Sequence, residues 1–140
     1  MKVLYTAQAT ATGEGRNGHG RTSDGLVDVD FASPKEMGGA GGATNPEQLF
    51  AVGYAACFHQ ALKVIGRREK VDVDGSTVEA EVGIGPNDGG GFQLQVALTA
   101  ILPSVDQEAA ERIVAAAHQV CPYSNATRGN IDVAVTAVGG

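Results

Sequence analysis

The stretch "TNPEQLF", residues 44–50, and the seventeen residues from Leu49 to Ile65 set the strongest limit on the fold. Asn45 suits an N-cap, Pro46 the first helical position, and Gln48 the closing position of a capping box, so a helix is predicted to start here. From Leu49 to Ile65 the run is apolar on nearly every face. A helix of that kind is buried on all sides, covered by a sheet and by a partner. Gly66, Arg67 and Arg68 are its predicted end.

The flanking segments supply the cover. "KVLYTAQATAT" and "GLVDVDFA" read as two strands joined by the glycine-rich loop "GEGRNGHGR". "SPKEMGGAGGA" is an irregular connection. "VDVDGSTVEAEVGIG" reads as one or two strands, "PNDGGG" as a turn, and "FQLQVALTAIL" and "NIDVAVTAV" as strands. Between the last two lies a second helix, opened by Ser104 and Gln107. Its apolar stripe runs through Val105, Ala109, Ile113, Ala116 and Val120. Strands and helices fall in separate groups, which predicts one α+β domain over 1–140.

Composition narrows the function. The chain carries 10 Lys and Arg against 16 Asp and Glu, with the cations scattered, which argues against a nucleic-acid binder. No run is read as a membrane span, and "MKVLYTAQATAT" does not read as a signal peptide, so the expected compartment is the cytoplasm. There, the two cysteines, Cys57 and Cys121, are core thiols, metal ligands or catalytic groups before they are a structural disulfide.

Each candidate has a plain alternative. "GEGRNG", residues 13–18, matches a dinucleotide fingerprint, but a strand rather than a helix follows it. "GGAGG" lacks the ending of a P-loop. Arg16 taken alone is a solvated loop residue, although its glycine neighbours permit close approach. Glu47 in the first turn of the helix complements the dipole. Cys57 alone reads as a core thiol, with small neighbours Gly53 and Ala61 one turn to either side leaving space above the sulfur. Apolar burial would raise its pKa, so a reactive Cys57 needs a cation. His59 lies about 200° around the helix from Cys57, which spoils both activation by His59 and a zinc site of Cys57, His59, His118 and Cys121. Pro122 forces the helix to end at Cys121, at a boundary where a thiol moves more easily than in a packed helix middle.

"TNPEQLFAVGYAACFHQAL" and "CPYSNATRGNIDV", with the loop "GRNGHGRTSDG", resemble the organic hydroperoxide resistance (Ohr) proteins of the OsmC/Ohr family. The resemblance covers nearly the whole chain, and "CPYSNATRGN" points to the Ohr branch. It implies antiparallel sheets wrapped around central buried helices in an intertwined homodimer. It also implies a thiol peroxidase without metal, haem or flavin, acting on organic and lipid hydroperoxides. Cys57 matches the peroxidatic cysteine, Cys121 the resolving cysteine, and Arg16 and Glu47 the active-site arginine and glutamate. The implied reductant is a dihydrolipoyl group on a lipoylated protein. Glu47 lies about 15 Å along the helix axis from Cys57, which predicts that it acts through Arg16 or from the other subunit. The competing reading is a non-enzymatic thiol or zinc-binding protein.

Overall fold

A computed structural model describes all residues, Met1–Gly140. The chain forms two compact units, Met1–Leu49 and Phe50–Gly140.

The first unit holds an antiparallel three-stranded sheet in the order β1 (Ala9–Thr12), β2 (His19–Thr22), β3 (Asp28–Asp30). Two expectations change here. The predicted first strand shrinks to its last four residues, and three of the four residues of β2 lie inside the stretch read as loop. The glycines hid β2, because His19, Arg21 and Thr22 gain their partners from neighbouring strands rather than from local propensity. The "GEGRNG" stretch becomes a short 3-10 turn, Gly15–Asn17, between β1 and β2, with no helix to receive a pyrophosphate.

Helix α1 (Pro46–Glu69) starts where predicted. The Gln48 N–H donates to Asn45 Oδ1 at 2.8 Å, the expected cap. The Gln48 side chain does not close the box on Asn45; it accepts instead from the Thr44 hydroxyl at 2.9 Å. The helix continues past Gly66 to Glu69, and Lys70 stops it with φ at +56°. Gly66 is there for packing: a Cβ would meet Val73 Cγ2 at 2.8 Å. By length and composition α1 is a helix apolar enough to cross a bilayer, contrary to the reading that no run qualifies. Its buried residues, Tyr54, Phe58, Ala61, Leu62 and Ile65, form a single face within one chain. Leu49 and Val52 remain exposed, so the all-round burial expected of this helix is absent from the isolated chain.

In the second unit β4 (Thr77–Pro86) and β5 (Phe92–Leu102) form an antiparallel hairpin, and β6 (Val133–Gly139) pairs with β5 in parallel. The parallel pair follows from the connection: β5 returns to β6 through α2 (Gln107–Val120) and α3 (Pro122–Thr127). Along β5 the buried residues alternate, Val96, Leu98, Ala100 and Leu102, and pack with α1 and α2 into one core. Helix α2 is capped by Asp106, whose carboxylate accepts from the Ala109 N–H at 2.8 Å, rather than by Ser104. Gln107 instead staples β6: its amide donates to the Ala137 carbonyl and accepts from the Gly139 N–H. The buried face of α2 is Ala110, Ile113, Val114 and Ala117, one residue displaced from the predicted stripe. The class is α+β, as expected, but the sheets are not wholly antiparallel as the resemblance implies, because β6 joins β5 in parallel.

Candidate active site

The four expected residues form two pairs. In the second unit Cys57 lies at the middle of α1 and Cys121 at the junction of α2 and α3. Both thiols are free, and the Cys121 S–H donates to Cys57 Sγ at 3.6 Å. Cys57 is half-buried and Cys121 fully buried. The mid-helix sulfur is thus the accessible one, and the boundary sulfur, expected to be loosely held, is packed in the core. Its backbone is held as well. The Cys121 N–H donates to Ala117 O at 2.9 Å, and its carbonyl accepts from the Asn125 N–H at 3.0 Å. Pro122 ends α2 as predicted, but also occupies the first turn of α3.

Part of the space expected above the Cys57 sulfur, that over Gly53, is taken by Tyr123. A Cβ on Gly53 would meet Tyr123 Oη at 3.1 Å, so the glycine admits the Tyr123 ring. That ring stacks edge-on with Tyr54, and both neighbour Phe50. Burial pushes the Cys57 thiol above its ordinary value. The Tyr123 backbone N–H pulls it down, and Cys121, which cannot share a second negative charge at this distance, pushes it up again. Within this unit the environment favours the thiol over the thiolate.

In the first unit Arg16 and Glu47 make a bidentate pair at 2.8 and 2.7 Å. The turn after β1 presents Arg16, and the first turn of α1 presents Glu47. Both ends of the pair lie in one chain, so of the two routes left open for Glu47, the contact with Arg16 is the one present. The Arg16 hydrogen bonds hold the Glu47 carboxyl below the usual carboxylate range, against the opposing effect of burial. The stabilisation is therefore present above the ordinary carboxylate pKa and lost as pH falls through the depressed folded value. Following the Glu47 carboxyl carbon by NMR, its midpoint is expected below that of an unpaired glutamate, and Arg16→Met is expected to return it to the ordinary range. An unchanged midpoint in that variant would remove the pair's role.

The histidines are engaged elsewhere. His59 Nε2 bonds Ser76 Oγ at 3.0 Å, and His118 Nδ1 bonds Ser124 Oγ at 2.7 Å. The four groups that make a zinc set on paper do not converge, and no three His, Cys, Asp or Glu side chains are arranged so that they could hold a metal ion. Sequence reasoning missed the buried hydroxyls that lie within six positions of a cysteine along the chain: Tyr54, Ser124 and Thr127. The signal was available in Ser124 and Thr127, three residues apart directly after Pro122, and in Tyr54, one turn before Cys57.

The site is thus a pair of free thiols in contact on packed helices of an α+β core. Residues 39–136 match the family described as OsmC-like protein, and the chain belongs to that family. It is 53% identical over 137 residues to the organic hydroperoxide resistance protein of Xanthomonas axonopodis pv. citri (strain 306), covering 96% of this chain and 95% of the relative. An organic hydroperoxide resistance protein from Elizabethkingia anophelis superposes with a TM-score of 0.95 at 50% identity, over 100% of both chains. The organic hydroperoxide resistance protein OhrB of Bacillus subtilis superposes with a TM-score of 0.87 at 43% identity, over 96% of this chain and 98% of the other.

Proposed function

We propose that this protein is a cysteine-based peroxidase that reduces organic hydroperoxides to alcohols. The observation that carries the reading is the pair of free thiols at 3.6 Å, in a chain whose near relatives are named for organic hydroperoxide resistance. Cys57, the more accessible sulfur, attacks the distal oxygen of the peroxide as its thiolate. The S–O bond forms, the O–O bond breaks, and the alkoxide leaves as the alcohol after taking a proton. The remaining Cys57 sulfenic acid condenses with Cys121: the S–S bond forms and water departs, which protects Cys57 from further oxidation. A dithiol then regenerates both thiols by exchange. By resemblance that dithiol is a dihydrolipoyl group on a lipoylated protein.

Arg16 has the task of favouring the thiolate, because a guanidinium keeps its charge when partly buried. Glu47 holds it in a fork geometry that fixes its orientation. The homodimer belongs to the same proposal. Leu49 and Val52 leave an apolar stripe on α1 for a second copy to cover.

The test is a thiol count. One equivalent of a bulky alkyl hydroperoxide is expected to remove both free thiols rapidly and leave one intramolecular disulfide, whereas hydrogen peroxide acts more slowly. Slow and independent loss of the two thiols would support the non-enzymatic reading. Comparable rates with the two peroxides would remove the preference for an alkyl tail.

A further inference from the structure

Beside the thiols runs a line of buried polar atoms whose direction is fixed by counting hydrogens. Thr127 Oγ1 lies 3.0 Å from the Tyr123 carbonyl and 3.2 Å from the Ser124 carbonyl, and a carbonyl only accepts. The single Thr127 hydroxyl hydrogen is thereby committed. Tyr54 Oη, 3.1 Å away, must then donate to Thr127. With the Tyr54 hydrogen committed, Ser124 Oγ at 2.9 Å must donate to Tyr54. Ser124 in turn accepts from His118 Nδ1 at 2.7 Å, which makes Nδ1 the protonated nitrogen of His118. The relay runs His118, Ser124, Tyr54, Thr127, Tyr123 carbonyl. Tyr54 and Ser124 are fully buried and Thr127 is nearly so.

The relay ties together every helix that carries or flanks a thiol. Tyr54 stands three residues before Cys57 on α1, His118 three before Cys121 on α2, and Ser124 three after Cys121 on α3. Apolar contacts between these helices tolerate sliding, but a buried directional relay does not, since a shift leaves a hydroxyl without its partner. We propose that Tyr54, Ser124, Thr127 and His118 are positioning residues that set the approach of Cys121 to Cys57. Protonation of His118 leaves the relay intact, because the neutral Nδ1–H tautomer and the imidazolium both donate through Nδ1.

The inference rests on the dithiol chemistry proposed above, but its test needs no peroxide. The purified protein is equilibrated with mixtures of reduced and oxidised glutathione, in which each Cys57–Cys121 disulfide formed converts one oxidised glutathione into two reduced ones. Tyr54→Phe and Thr127→Val each remove one hydroxyl and little else. Each is expected to lower the equilibrium constant for the disulfide about tenfold, or ~30 mV. Thr127→Ser, which keeps the hydroxyl, is expected to stay near the parent value. Val135→Ala, on β6 and outside the relay, serves as the control for general loosening of the core. Unchanged constants in the folded Tyr54→Phe and Thr127→Val proteins would overturn the inference, and so would an equal fall in Val135→Ala. If Tyr54→Phe does not fold, the Thr127 pair decides the question. A parent protein that forms no Cys57–Cys121 disulfide overturns the peroxidase mechanism as well, whereas a parent that forms it beside unmoved variants overturns only the relay.

Discussion

Cys57→Ser is expected to abolish hydroperoxide-dependent thiol loss, with a fall in rate on the order of a thousandfold or more, because the serine hydroxyl offers no comparable nucleophile at neutral pH. Cys121 should then stay reduced despite its free thiol, since it is fully buried and has no sulfenic acid to condense with. Cys121→Ser should behave differently. Its first turnover is expected at close to the parent rate, after which Cys57 halts as sulfenic acid, trappable by a dione reagent, and passes to sulfinic acid with excess peroxide. Mass spectrometry of the two variants after one and ten equivalents of an alkyl hydroperoxide reads all of these species. Equal inertness of both variants would assign the two sulfurs a shared role in place of the unequal ones proposed here.

Arg16→Met has the second largest expected effect. A free thiol of pKa ~8.5 is only a few per cent ionised at pH 7, so full ionisation by a cation raises the reactive fraction about thirtyfold. Around Cys57 burial and the neighbouring thiol act against ionisation, so the thiol left without its cation falls below even that fraction. The variant's thiolate fraction at pH 7 should fall about thirtyfold or more, and its alkylation rate by less, because a thiolate of lower pKa is the weaker nucleophile. Its rate-against-pH midpoint should rise above the parent's. Glu47→Gln should fall between parent and Arg16→Met, since it leaves the guanidinium charged but removes the carboxylate that orients it. Alkylation with iodoacetamide across pH 5–10 measures both variants. A midpoint unchanged in Arg16→Met would remove Arg16 from thiolate stabilisation.

The parts of the structure that were legible in the sequence are those dictated locally. Asn45 and Pro46 fix the start of α1 whatever surrounds them, and the alternation in "FQLQVALTAIL" matches β5 from end to end. The residues misread are those decided by tertiary partners. His19–Thr22 is a strand only because β1 and β3 flank it. Gln107 fits a capping box in sequence but is drawn to β6, leaving Asp106 to cap α2. Gly66 looks like a helix stop until Val73 packs over it. In the site, the cysteines, Arg16 and Glu47 were named from long motifs. The action of Glu47 through Arg16 was one of the two routes read from the sequence; that the pair closes inside one chain was not legible, because a separation of 31 residues carries no local signal. The hydroxyl relay was hidden for the same reason: Tyr54 and Ser124 lie 70 positions apart.

Cys121 closes α2 with its N–H and opens α3 with its carbonyl, so a displacement of its backbone breaks a hydrogen bond in one helix or the other. The sulfurs must close from 3.6 Å to a bond length near 2.05 Å, a travel of about 1.5 Å. A travel of that size is on the scale of a rotation about one side-chain bond. Exposed side chains turn in picoseconds to nanoseconds and local unfolding takes microseconds or longer, but Cys121 is fully buried and turns only as the core around it yields. In the mechanism proposed above, sulfenic acid formed at Cys57 therefore meets its partner thiol only as fast as the packing around Cys121 lets that side chain turn.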